Sequence, residues 1–245
     1  MLERNSRTEM LIGADAMRIL ENSRVAVFGV GGVGGYAVEA LARAGVGAID
    51  IVDCDTVSES NINRQIIATY KTLGMKKTDA AEERIVSINP LCRVKKYDIF
   101  FLPENANDFD FSVYDYVVDA IDTVSGKLAI ITKCSELGVP VISSMGTGNK
   151  LDPTAFEITD IYSTSVCPLA RVMRTELRKR GVSSLKVLYS KEPPKKAIQL
   201  KSTEGEAQNR DINRRSTPAS ISFVPSVGGL IIASEVIKDI TGIRS

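Results

Sequence analysis

The chain has 245 residues, with 31 Lys+Arg against 30 Asp+Glu and neither His nor Trp. Its length suits one large domain or two small ones, and 44% hydrophobic with 25% charged residues is ordinary for a soluble globular protein. The missing histidine excludes Ser-His-Asp and Cys-His catalysis, His-ligated zinc and an imidazole base, so any chemistry rests on Lys, Arg, Asp, Glu, Cys, hydroxyls, backbone dipoles or a cofactor. The cysteines at 54, 92, 134 and 167 form no C-x-x-C pair. No apolar run reaches the length of a membrane helix, and the charged N-terminus lacks a signal-peptide core. The expectation is a cytoplasmic protein with free thiols and no membrane insertion.

In chain order, "RVAVF" at 24–28 reads as a buried parallel strand. A glycine-rich turn and a helix over 36–44 follow, with Gly45 as its C-cap, and then a strand over 48–53. This is a βαβ unit. Further on, the pattern predicts a helix over 78–88, strands at 93–99 and 116–121, a helix over 125–137 capped by Ser125, and a strand at 139–143. Such alternation implies a doubly wound, Rossmann-like α/β fold with a mostly parallel sheet. Beyond Gly148 the character changes to an α+β extension: a strand at 156–161, a helix over 168–180, a strand at 185–189, a polar stretch at 191–217 read as a mobile loop, and an apolar helix over 226–240. The expected organisation is a nucleotide-binding unit over 1–148 and an extension over 149–245 packed on the same core.

Gly29, Gly31 and Gly34 spell G-x-G-x-x-G directly after a strand and opening a helix. The first glycine allows the tight turn, the second a close approach to phosphate, the third close helix–strand packing. Helix N-terminal N–H groups then favour an anion. Asp53 lies nineteen positions beyond Gly34, where an acid meets ribose hydroxyls. This suits NAD as well as ATP. The next residues separate the two. Asn61, Arg64 and Gln65 in "DCDTVSESNINRQ" can face one site, Lys77 follows in "GMKK", and Asp122 stands at the carboxyl edge of the sheet. Two cations and a carboxylate suited to Mg²⁺ serve phosphate chemistry, and hydride transfer needs none of them. Asp122 could otherwise cap the following helix.

Charge is unevenly spread. Between Arg171 and Arg215 stand 13 Lys+Arg and 5 Asp+Glu, within a chain whose total is +1. A solvated helix face followed by a loop accounts for this, and so does an electrostatic footprint for a polyanion such as RNA.

The stretches "RNSRTEMLIG", "GVGGVGG", "DCDTVSESNINRQ", "GMKK" and "VVDAIDT" resemble the ThiF/MoeB family of ubiquitin-activating-enzyme-like adenylating enzymes. The resemblance implies attack of a carboxylate on the α-phosphate of MgATP. In that pattern Gly29, Gly31, Gly32, Gly34, Asp53, Asp55, Asn61 and Gln65 line the nucleotide site. Arg64 and Lys77 contact phosphates, Asp122 the metal, and Arg7 reaches the ATP of the other subunit of a homodimer. The missing zinc C-x-x-C pairs, "TSVCPLARVMRTELRKRGV" and the C-terminal "SISFVPSVGGLIIASEVIKDI" are similar to the tRNA threonylcarbamoyladenosine dehydratase branch (the TcdA/CsdL group). That branch implies tRNA bearing threonylcarbamoyladenosine as substrate, no zinc, and room for a monovalent cation and a sulfur-transfer protein partner. Arg171, Arg174, Arg178, Lys179 and Arg180 then become tRNA contacts. Cys167, before Pro168 and a helix N-terminus, is the thiol to weigh for a thioester, against a buried small residue; Cys54, Cys92 and Cys134 read as core thiols. The alternatives are adenylation of a sulfur-carrier or ubiquitin-like protein C-terminus, and an NAD(P)-binding oxidoreductase.

Overall fold

The computed structural model describes residues 3–198 and 218–243. A kinked helix opens the chain, α1 (Ser6–Asn22), with Gly13 at its bend (φ 84°, ψ 162°). β1 (Arg24–Phe28), α2 (Gly34–Ala44) and β2 (Ala48–Val52) follow. Then come α3 (Lys77–Ile88), β3 (Arg93–Tyr97), β4 (Tyr116–Asp119), α4 (Val124–Leu137) and β5 (Val141–Ser144). β6 (Phe156–Asp160), α5 (Pro168–Lys179), β7 (Lys186–Ser190) and α6 (Phe223–Thr241) complete it.

The seven strands form one sheet in the order β3-β2-β1-β4-β5-β7-β6. All neighbours run parallel except β6, which pairs antiparallel with β7 at the edge. The strand order reverses between β1 and β4, which places a crevice at their carboxyl ends. Strand alternation feeds two layers. Val25 and Val27 face a core shared with Leu20, Leu41, Ile85 and Ile232 of α1, α2, α3 and α6. Ala26 and Phe28 face the opposite layer, where Phe28 stacks on Phe111 at 5.6 Å and meets Phe101 edge-on at 4.8 Å. α4 and α5 close that side through Leu128, Ile131, Met173 and Leu177.

α1, which no expectation covered, is interrupted at Gly13, and its outer positions Met10 and Leu11 are exposed apolar residues. Two expectations shift. α4 begins at Val124 with Thr123 as N-cap and no side-chain cap, so Ser125 is inside the helix rather than capping it. Ala120 and Ile121 leave β4, because the chain turns there beneath the glycine loop. Of the polar stretch at 191–217, residues 191–198 have no helix or strand, and 199–217 lie outside the described residues. No helix among the described residues is long and apolar enough to cross a membrane.

α6 crosses α2 closely because it presents Gly229. A Cβ there would stand 2.3 Å from the carbonyl oxygen of Val33 and 2.8 Å from Cβ of Tyr36. The contact matters to the site, because Val33 is the N-cap of α2 and belongs to the glycine turn. Gly229→Ala should therefore cost about 3 kcal/mol through overpacking, measured as a lowered midpoint in urea denaturation. Leu230→Ala, at a half-exposed neighbour, should stay within about 1 kcal/mol.

Candidate nucleotide site

A cavity of about 570 Å³ opens at the carboxyl ends of β1, β2, β4 and β5. The glycine turn forms its floor. Gly29 holds φ 86°, and its position tolerates no side chain: a Cβ would lie 2.8 Å from the carbonyl oxygen of Ala120. Gly34, the first residue of α2, is packed harder still, with a Cβ position 1.8 Å from the Gly29 carbonyl oxygen. It lies outside the cavity lining and acts by letting α2 approach β1. Gly31 and Gly32 face the cavity beside Gln65, Arg64 and Pro225 of α6. The first turn of α2 thus directs its N–H groups and dipole into the open space.

Asp53 follows β2 and is fixed from two sides. Its Oδ2 accepts the N–H of Val30 at 2.9 Å, and its Oδ1 accepts the N–H of Asp55 at 2.9 Å. Burial pushes its carboxyl above the usual carboxylate range, opposed in part by Lys77 and by these two N–H groups. Lys77, at the start of α3, is itself buried. Its Nζ stands 2.6 Å from Asp55 Oδ2 and 3.8 Å from Asp53 Oδ1. Its ammonium is held by two carboxylates, a point charge on a fixed mount.

Asn61 ends a short 3₁₀ turn, where its Oδ1 accepts the N–H of Ser58 at 3.1 Å. Arg64 Nη1 donates to the Ser60 carbonyl at 3.0 Å and to Asn63 Oδ1 at 2.9 Å. Gln65 is buried, and its Oε1 has no hydrogen-bond partner among the described residues. A buried amide oxygen left unpaired beside a cavity is a group awaiting a donor. Asp122 is exposed at the cavity lip. Among the described residues its only side-chain hydrogen bond is a long one from the Thr123 hydroxyl at 3.4 Å, and it caps no helix. Its carboxylate is therefore the uncommitted hard-oxygen donor of this cavity wall.

The structure brings ten of the expected nucleotide residues onto one cavity: Gly29, Gly31, Gly32, Asp53, Asp55, Asn61, Arg64, Gln65, Lys77 and Asp122. Arg7 lies away from it, exposed in the first turn of α1. Cys167 is 4% exposed as the N-cap of α5 and is not in the cavity wall, whereas Leu169 is. Cys92 and Cys134 are buried, their thiols pushed up to about 11 and about 12; Cys54 is exposed, which departs from the expected core thiol. Of the α5 cations, Arg174 is tied to the carbonyl and hydroxyl of Thr164, and Arg178 lies over the Tyr162 ring at 5.0 Å. Lys179 and Arg180 pair with Glu176, at 2.7 and 2.8 Å, and Arg171 is exposed.

Several lining groups were not anticipated. Phe100 and Phe101 form an apolar wall, and Gly146–Gly148 with Pro218 and Ser220 form the far rim. Asn149 (φ 60°) ties that rim together. It accepts the N–H of Lys195 on its carbonyl and that of Ala219 on Oδ1, and it donates its own N–H to the Ala219 carbonyl. Behind the wall sits a wholly buried ion pair, Lys127 Nζ to Asp119 Oδ2 at 2.9 Å. Its sequence signal was a charge inside each of two apolar runs, "YVVDAI" and "SGKLAII".

The ThiF family model matches residues 3–245. The tRNA threonylcarbamoyladenosine dehydratase of Bacillus subtilis (strain 168) is 43% identical over 244 residues, spanning 98% of this chain and 95% of the relative. A crystal structure of the Escherichia coli enzyme of that name, TcdA, in complex with ATP, matches with a TM-score of 0.86 at 31% identity, covering 98% of this chain and 94% of that one. A probable adenylyltransferase/sulfurtransferase, MoeZ of Mycobacterium tuberculosis, matches more narrowly, at 39% identity over 54% of this chain and 33% of its own length. With a glycine turn, acid, cations and free carboxylate gathered on one cavity, and a family match over nearly its whole length, the chain belongs to the ThiF family.

Proposed function

We propose that this protein is an ATP-dependent tRNA threonylcarbamoyladenosine dehydratase. The observation that carries the reading is the convergence of two cations, a free carboxylate and an unpaired Gln65 oxygen on a phosphate-binding turn, in a chain that aligns end to end with relatives of that name. ATP occupies the cavity with its phosphates over the α2 N-terminus, its ribose at Asp53 and its base along the Phe100–Phe101 wall. Arg64 and Lys77 hold the phosphates. The threonyl carboxylate of the modified adenosine attacks the α-phosphate and pyrophosphate leaves, giving an acyl-adenylate. The carbamoyl group then closes on the activated carbonyl and AMP departs with the carboxylate oxygen, for a net loss of one water. Closure is intramolecular, so close placement supplies much of the rate.

The donor set suits Mg²⁺, which prefers one or two carboxylates plus phosphate oxygens. Asp122 is the residue that would hold it, because Asp53 and Asp55 are already committed to Lys77 and backbone N–H groups. When bound, the ion neutralises charge on the phosphates. Burial of Cys167 outside the cavity lining supports direct cyclisation without a thioester. Met10 and Leu11, 87% and 86% exposed on α1 beside Arg7, support a homodimer in which that helix meets a second copy. The basic surface of α5, with Arg171, Arg174, Arg178, Lys179 and Arg180, is the tRNA contact, and the cytoplasm is the compartment. No zinc is required.

The deciding measurement is mass spectrometry of tRNA nucleosides after incubation with ATP: threonylcarbamoyladenosine should lose the mass of one water, with AMP released in step. AMP release driven by a carrier protein ending in Gly-Gly, with tRNA unchanged, would replace this substrate with a protein terminus. Cys167→Ser should keep most of the activity; complete loss, in a protein of unchanged melting temperature, would establish a thioester. Arg171→Ala with Lys179→Ala should weaken tRNA binding and reduce its logarithmic salt slope by about 1.5; an unchanged slope would remove α5 from the interface.

A further inference from the structure

Among the described residues, Lys127 and Asp119 form a cluster of charges buried beneath the cavity wall that the chemistry above leaves unused. Lys127 stands in the first turn of α4, and both side chains are 0% exposed. The place is unfavourable for a cation twice over. Burial strips its hydration, and the positive end of a helix dipole repels it. Apolar residues of similar volume in such a position are commonly neutral or stabilising, so stability does not explain the pair.

Its geometry does offer an explanation. The Lys127 ammonium stands 2.9 Å from Asp119 Oδ2 and donates to the Ile121 carbonyl at 3.1 Å. The same Asp119 oxygen accepts the Ser143 hydroxyl of β5 at 2.6 Å. One side chain therefore joins the last residue of β4 to the carbonyl two residues on and closes the turn from strand into α4. The glycine loop rests on that turn: Ala120 N–H donates to the Phe28 carbonyl at 2.8 Å, and the Ala120 carbonyl underlies Gly29. Asp122 is two residues beyond Ala120, directly after Ile121. With Asp122 itself held only by a long hydrogen bond, its place depends on the peptide to which it is attached.

We infer that Lys127 and Asp119 are positioning residues for adenylation: their buried ion pair sets the Ala120–Asp122 turn, and through it the placement of Asp122. The inference rests on the ATP-using role proposed above. Neither side chain lines the cavity.

Lys127→Met alone leaves a buried carboxylate uncompensated and is expected to lower the melting temperature. The informative variant is the double substitution Asp119→Asn with Lys127→Met, which removes both charges and keeps an acceptor for Ser143. It should recover most of the lost melting temperature, while kcat for AMP formation stays down about 10- to 100-fold and the KM for ATP shifts less than about threefold. Adding Asp122→Asn to the double variant should reduce kcat no further than Asp122→Asn does alone, because both changes act through one group. A double variant with wild-type kcat, or losses that multiply independently, would overturn the inference. The same cycle can be read in the Mg²⁺ dependence of binding a fluorescent ATP analogue, which needs no tRNA. A wild-type protein that binds the analogue but leaves tRNA unaltered would overturn the substrate assigned above, and the binding cycle would still judge the ion pair.

Discussion

The glycine turn lies against the peptide that leaves β4, and the rest of the site is arranged around that contact. The Gly29 and Ala120 backbones meet where no side chain fits, and α2 begins only because Gly34 clears the Gly29 carbonyl. β1 and β4 are neighbours at the point where the strand order reverses, so this contact sits at the base of the crevice. α6 presses on the same turn from outside through Gly229 and Pro225. The cavity floor is thus held by backbone on three sides, which gives the rigidity that electrostatic catalysis needs.

On this floor the charges are graded by how firmly they are held. Asp53 has two N–H donors, Lys77 two carboxylates, and Arg64 a carbonyl and an amide oxygen. Asp122 and the Gln65 oxygen have little or nothing. Groups that recognise a constant part of a ligand are best fixed in advance, and those that meet a metal or a changing group are best left unpaired.

Much of this was legible in the sequence, for definite reasons. β1 spans 24–28 as its β-branched run predicts, and the βαβ unit follows from glycine, helical spacing and a second apolar run. Ten of the expected nucleotide residues share one cavity because they belong to loops that all leave the same sheet edge. What could not be read are features that exist only across long separations. Asp119 and Lys127 lie within the strand at 116–121 and the helix over 125–137, but their pairing exists only once β5 and the turn enclose them. α1 escaped notice because its apolar residues split between a buried face, with Met17 and Leu20, and an exposed one, with Met10 and Leu11. The rim at Gly146–Gly148 carries no charge and gains meaning only through Asn149.

The pairing of β1 with β4 also has a kinetic side. The Arg24 N–H at the start of β1 donates to Oδ2 of Asp115, 91 positions away and just before β4. β1 and β2, by contrast, are joined by a single helical crossover. Closing a long loop is entropically costlier than closing a short one, so the first βαβ unit can assemble locally while the β1–β4 seam waits for distant chain. The nucleotide cavity straddles that seam. A polypeptide that has folded only its first βαβ unit possesses the glycine turn but not the wall it leans on. Nucleotide therefore selects the finished molecule, and mass action draws the chain toward completion.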